Sequence, residues 1–278
     1  MNYMPKLQEA MNYIMNGEDT KALPLMQEII AYIESDDSYK QTDDKTPVTF
    51  DEDFEYILYA ATHDVDSIRW IHEPVSLVYV FDAELHMNLG DYDAAIEALE
   101  KALKWNPISA KAQLAMAEAY AAKQDDEKFH ELTLASFPNI FHSEEMGQAY
   151  RNLGYYFTSK DEVMPAISCF GLSMLYEQTN EAIQGLSTLR NRHSDEKVHM
   201  PADDELEQIA KQYNIPLSPD PTVLTTLYVQ VQAAKAAGNE KQAKQFMEIV
   251  YDLKQGEAFY KYEQANNKEE SKDSSEEK

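Results

Sequence analysis

Seven histidines and one cysteine are the residues of this chain whose chemistry would suit a metal site or a nucleophile. The histidines stand at positions 63, 72, 86, 130, 142, 193 and 199, and their spacing includes no HExxH pair and implies no set of three ligands. Cys169 falls on an apolar helix face beside Ile167 and Phe170, which predicts a buried and unreactive thiol. We therefore expect no metal and no cofactor.

The sequence also gives no signal for a phosphate-binding loop or for a catalytic pair of carboxylates. It contains no GxSxG, P-loop or GxGxxG motif, and its eight glycines leave little room for a phosphate-binding loop. Asp and Glu together number 50, so the proximity of two carboxylates carries no signal for acid–base catalysis. The sequence thus predicts a protein that is not an enzyme.

The charge balance constrains the class of partner. The chain has 24 Lys and Arg against 50 Asp and Glu, a formal net charge of −26. Nucleic-acid binding depends on cationic side chains that neutralise phosphates, and anionic membrane surfaces repel an acidic protein. We expect neither nucleic acid nor membrane as a partner. A basic partner is compatible with this charge, although charge of this sign also maintains solubility.

The cellular compartment is indicated by three sequence features. The single cysteine cannot form an internal disulfide, and no run of residues is long and apolar enough to span a membrane. Residues 1–21 also lack the cationic and apolar regions of a secretory signal. These features favour a cytoplasmic protein.

The architecture follows from helical periodicity. Apolar residues make up 44% of the chain and glycine and proline are scarce, which favours long helices with a real core. Residues 76–109 form the clearest unit, two amphipathic helices separated by Asn88-Leu89-Gly90-Asp91 and ended by Pro107. Ala83, Ala95 and Ala102 fall where two antiparallel helices must approach closely.

That spacing of Leu-Gly, Tyr, Ala and Pro in about 34 residues resembles the tetratricopeptide repeat (TPR) pattern. The resemblance covers roughly residues 1–260. The stretches KALKWNPIS and AYRNLGYYF, and the region from DFEYILYAA to RWIHEPVS, also look similar to a group of uncharacterised TPR proteins of Gram-positive bacteria. The resemblance implies an all-α solenoid, a right-handed superhelix of about seven antiparallel helix pairs.

We interpret residues 1–262 as a single solenoid. The clear repeats are 76–109, 147–180 and 224–257, and weaker repeats are 3–35, 110–143 and 181–214. Residues 36–50 are polar and acidic and are interpreted as a loop, whereas residues 67–73 are expected to be extended. The acidic segment 263–278 lacks apolar residues and is predicted to be disordered.

The resemblance also implies a concave groove, lined by the first helix of each repeat, that binds peptides or protein segments. The positions expected to face inward give these candidates: Leu77, Val80, Glu84, Met87, Leu114, Glu118, Arg151, Tyr155 and Tyr228. Tyr155 rather than Tyr156 is expected to face the groove, because adjacent helical residues point about 100° apart. The alternative, that neighbouring helices cover several of these positions, stays open.

The function implied by the resemblance is a protein- or peptide-binding scaffold whose partner the sequence does not identify. TPR domains of chaperone adaptors hold a ligand carboxylate with cationic residues in successive repeats. Here Glu84 and Glu118 occupy such positions and only Arg151 is cationic, so that mode is rejected and a basic ligand residue fits better. The alternative function is a signalling-peptide receptor or regulator, although residues 1–50 show no clear DNA-binding domain.

Overall fold

The computed structural model describes residues 2–42, 44–193 and 199–262. Thirteen α-helices carry most of this part of the chain: α1 Met4–Met15, α2 Asp19–Ser35, α3 Asp53–Thr62, α4 Val75–Asn88, α5 Tyr92–Trp105, α6 Ala110–Ala122, α7 Asp126–Ser136, α8 Ser143–Ser159, α9 Val163–Tyr176, α10 Asn180–Arg192, α11 Asp203–Tyr213, α12 Pro221–Ala236 and α13 Glu240–Asp252. Residues 256–262 are also helical. The predicted all-α class is confirmed. The tail 263–278, predicted to be disordered, lies outside the described residues.

Several helices begin at a side chain that accepts a hydrogen bond from a free backbone N–H group. The carboxylate of Asp91 accepts a hydrogen bond from Ala94 N at 3.2 Å at the start of α5, and Ser109 Oγ accepts one from Ala112 N at 3.2 Å at the start of α6. Gly90, with φ of 76°, makes the turn between α4 and α5. The turn between the two helices therefore falls between Asn88 and Tyr92, where the helical pattern of the sequence breaks.

Five hairpins pack as pairs, namely α1/α2, α4/α5, α6/α7, α8/α9 and α12/α13. The small residues at their interfaces are fully buried, as at Ala95, Ala102 and Ala166. Without a bulky side chain, the two helix backbones can approach closely. Successive inner helices α4, α6 and α8 also contact one another, so this part of the chain stacks hairpin upon hairpin.

Residues 181–214 do not form the expected helix pair. α10 and α11 each pack mainly on α9 rather than on each other. Gly185, which lacks a side chain, allows α10 to pack against the ring of Phe170 on α9. The described residues thus contain five packed hairpins together with α3, α10, α11 and the helical segment 256–262, where the sequence predicts about seven pairs.

The segment 36–50, predicted to be a loop, is partly regular structure. Residues Asp37–Tyr39 form a 3₁₀ turn, and Thr46–Val48 form strand β1, which pairs in parallel with β2, Ile68–Trp70. The extended conformation expected around residues 67–73 is confirmed at β2. The loop prediction is wrong at β1, because a three-residue strand is too short to show a period and its partner lies beyond α3.

The core consists of three clusters of buried apolar residues. The first joins α1, α2, α4, α5 and α6, and the second joins α6 through α11. The third joins β1, α3 and β2 with α12, α13 and Phe259. In the third cluster the ring centroid of Phe54 lies 5.1 Å from the ring centroid of Phe141 and 6.1 Å from that of Phe246. The third cluster therefore packs residues near position 54 against residues near positions 141 and 246.

Candidate groove and acidic recess

The first helices of three successive hairpins form a cavity of about 530 Å³. We call it the inner groove. It is lined by Val80, Ala83, Glu84, Met87 and Asn88 of α4, Leu99 of α5, Lys111, Ala115 and Glu118 of α6, and Glu144 and Gln148 of α8. Apolar side chains and carboxylates thus face the same space.

Four of the predicted groove residues meet in this cavity: Val80, Glu84, Met87 and Glu118. Glu118 accepts a hydrogen bond from Gln148 Nε2 at 2.8 Å. Desolvation raises the pKa of the Glu118 carboxyl, against the opposing effects of Gln148 and of the Arg151 charge. Leu77 is half-buried on α4 and does not line the cavity.

Two predicted groove residues are covered by neighbouring helices instead. Leu114 is 0% exposed in the second core cluster. Tyr228 is 8% exposed, and its ring lies 5.0 Å from both Phe259 and Tyr262 in the third cluster. The prediction of an accessible position is wrong at both residues, because apolar side chains at an inward helical position fill the core where another helix packs over them.

Arg151 and Tyr155 lie on α8 outside the inner groove, and both have partners within the chain. Arg151 Nη1 donates to Glu177 Oε2 at 2.7 Å, and Tyr155 OH donates to the backbone carbonyl of Glu181 at 3.2 Å. Tyr155 remains 41% exposed, while Tyr156 stacks on His130 with ring centroids 4.0 Å apart. Tyr155 is thus the more exposed of the two tyrosines, but it does not line the inner groove that it was expected to face.

A second cavity, of about 340 Å³, adjoins the inner groove. We call it the acidic recess. It is lined by Glu52, Lys111, His142, Glu144, Glu145 and Gln148, of which Lys111, Glu144 and Gln148 also line the inner groove. The two cavities are therefore adjacent compartments of one surface.

The recess holds a strongly perturbed carboxyl. Glu145 Oε2 is buried and has no hydrogen-bond partner among the described residues. Burial raises the pKa of Glu145 to about 7. His142 Nε2 lies 2.8 Å from Glu52 Oε1; burial opposes protonation of His142, but this hydrogen bond and the Glu52 charge raise its pKa overall.

The sequence prediction began the third repeat at residue 147 and so overlooked Glu144 and Glu145. α8 in fact begins at Ser143, four residues earlier. The signal that could have found them is a pair of acidic residues in a first helical turn, where carboxylates complement the helix dipole.

The structure also shows the surroundings of the cysteine and of the side chains that could ligate a metal ion. Cys169 is fully buried, as predicted, and burial raises the pKa of its thiol. Across residues 2–42, 44–193 and 199–262, no group of three or more His, Cys, Asp and Glu side chains is arranged to hold a metal ion. In the same ranges, every helix is too short or too polar to cross a bilayer.

Comparison with known proteins gives one partial family match. The family model described as tetratricopeptide repeat matches residues 86–135, which span the end of α4, all of α5 and α6, and most of α7. Comparison with curated proteins gives no match. Among solved structures, one described as "Functional Characterization of Pseudomonas Aeruginosa pilF" is similar at 12% identity and a TM-score of 0.49, covering 95% of this chain and 97% of that one. The chain is thus an all-α protein built of stacked helical hairpins, of which residues 86–135 match the tetratricopeptide repeat model.

Proposed function

We propose that this protein is a scaffold that binds a peptide or protein segment in the inner groove and has no catalytic activity of its own. The observation that carries the proposal is the cavity of about 530 Å³ that spans three successive hairpins. Its lining combines the partly exposed apolar side chains of Met87 and Ala115 with the acceptors of Glu84 and Glu118. A few polar groups placed in an apolar cleft are typical of a specific binding site.

The charge of the chain supports a protein rather than a nucleic acid as the partner. The net charge is −26, and the groove lining carries three glutamates and one lysine. A polyanion would be repelled, whereas a peptide can supply apolar side chains together with positive charge. The lone, buried Cys169 is consistent with a cytoplasmic location.

Charge reversal in the groove tests this proposal. The variant Glu84→Lys/Glu118→Lys should capture its partner from a lysate of the source cells at least about tenfold less efficiently, because two contacts become repulsive. Glu97→Lys/Glu100→Lys is the matched control, since it makes the same change of charge at exposed positions of α5 that do not line the groove.

A photo-crosslinking amino acid locates the contact independently. Placed at Met87, it should form a crosslink to the captured partner; placed at Glu97, it should not. Equal capture by both charge-reversed variants, together with crosslinking at Glu97 alone, would place the binding surface elsewhere and refute the proposal. Far-UV circular dichroism on both variants establishes that each is folded.

A further inference from the structure

The acidic recess has a buried acceptor that no described residue satisfies. Glu145 Oε2 is shielded from solvent and without a hydrogen-bond partner among the described residues, yet Glu145 lines a cavity of about 340 Å³. A buried acceptor left unpaired costs free energy, so a donor that enters the cavity gains more there than it would at the surface.

The charges around the recess favour a cationic donor. Glu52, Glu144 and Glu145 contribute three carboxyl groups, and His142 is hydrogen-bonded to Glu52. Lys111 and, when protonated, His142 are the cations of the lining, and both favour the charged form of Glu145. No carboxylate among the described residues forms an ion pair with Lys111, whose ammonium lies over the ring of Phe81, 5.5 Å from the centroid. Lys111 therefore leaves Glu145 without a direct partner.

We propose that the acidic recess receives a basic side chain, Arg or Lys, of the peptide bound in the inner groove, with Glu145 as its carboxylate partner. This inference rests on the proposed function. The two cavities share Lys111, Glu144 and Gln148, so a single peptide can place an apolar side chain against Met87 and Ala115 and a neighbouring basic one beside Glu145. A guanidinium would also donate to Glu144 at the shared rim.

The test compares two peptides that differ only in charge. The probe is acetyl-Leu-Arg-Leu-amide, and its control is acetyl-Leu-citrulline-Leu-amide, in which a neutral group of the same shape replaces the guanidinium. Binding to the full chain is followed by NMR of the side-chain carboxyl and amide groups. We expect saturable shifts at Glu145 and Gln148 and at least about tenfold weaker binding of the citrulline peptide.

Two variants assign this preference to Glu145. Glu145→Gln should lose most of the preference for the Arg peptide, with a remainder from Glu144, whereas the matched surface variant Glu97→Gln should keep the wild-type preference for Arg. Bound Arg should also lower the pKa of Glu145 from about 7, which tightens binding as the pH rises through that value. His142, Glu52, Glu144 and Lys111 face the same carboxyl, so the NMR titration follows Glu145 itself.

Equal binding of the two peptides to wild type, or no saturable binding of the Arg peptide, would overturn the inference. So would an undiminished preference for Arg in Glu145→Gln. Failure here is distinguishable from failure of the proposed function. If the Arg peptide binds no more tightly than the citrulline peptide but Glu84→Lys/Glu118→Lys still loses the natural partner, the inner groove remains the binding site. Only the proposal that the recess receives a basic side chain is then refuted.

Discussion

A buried carboxyl at the start of α3 shows how single residues set the pH behaviour of this protein. Glu55 is 5% exposed, and its Oε2 accepts hydrogen bonds from Asp51 N at 2.5 Å and from Asn106 Nδ2 at 2.9 Å. These donors favour the charged form, but burial and the neighbouring Asp51 charge outweigh them and raise the pKa of Glu55 to about 8. The folded protein therefore retains a proton that the unfolded chain releases.

This difference predicts a loss of stability as the pH rises. Between the ordinary pKa of 4.5 and about 8, the folded state binds more protons than the unfolded state. The Glu55 contribution is thus fully present below 4.5 and disappears as the pH rises through about 8, with a slope of up to about 1.4 kcal/mol per pH unit. Glu55→Gln should flatten this slope in urea unfolding measured across that range.

Comparison with a surface variant separates the contribution of Glu55 to the pH dependence of stability from the contributions of other groups. Burial also raises the pKa of Asp51, to about 6, so the wild-type slope has more than one source. Glu97→Gln, on the exposed face of α5, should leave the slope as in wild type. An identical pH dependence in wild type and Glu55→Gln would contradict the assignment.

At the level of elements, close approach between helices depends on glycine at two positions around one aromatic ring. A Cβ added at Gly154 of α8 would lie 2.8 Å from the ring of Phe170, and one added at Gly185 of α10 would lie 2.4 Å from Phe170 Cζ. Both contacts are closer than packed carbon atoms tolerate. Phe170 of α9 therefore fits between α8 and α10 only because both glycines lack a side chain.

Gly185→Ala should destabilise the protein even though alanine is the better helix former. Overpacking costs about 1–3 kcal/mol, and the gain in helix propensity offsets only about 1 kcal/mol. In a Phe170→Leu background the ring contact is gone, so the same substitution should be neutral or stabilising. Urea unfolding of the four proteins of this cycle measures the coupling between the two sites. Additive effects would show that Phe170 does not set the position of α10.

On the scale of the whole molecule, contacts join helices that are distant in sequence, which a simple stack of repeats would lack. The C-terminal hairpin α12/α13 packs on α3 in the third core cluster, and the carboxylate of Asp252 joins it to the start of α8. Ser143 donates to this carboxylate from its backbone N and from its Oγ, both at 2.8 Å. In a solenoid, stability is the sum of local units and their interfaces, so this link couples units that are distant in sequence.

Asp252→Ala should loosen this closure without unfolding the remaining hairpins. Loss of hydrogen bonds to a charged acceptor costs about 1–3 kcal/mol. Hydrogen exchange should accelerate in α3, α12 and α13, and the exchange of α1, α2 and α4 should stay as in wild type. Glu248→Ala, at an exposed position of α13, is the matched control and should change none of these rates. Uniform acceleration over the chain would indicate a single cooperative unit instead.

The sequence by itself determined the all-α class, the position of the turn between α4 and α5, and four of the residues that line the inner groove. These follow from helical periodicity, caps and small residues, all of which act within a few turns. Only the tertiary structure decided the β1–β2 pairing, the burial of Leu114 and Tyr228, and the recess around Glu145. Each of these features depends on which distant segment packs against a given helix or strand. An amphipathic pattern shows that one face of a helix is buried, but it does not identify the segment that buries it.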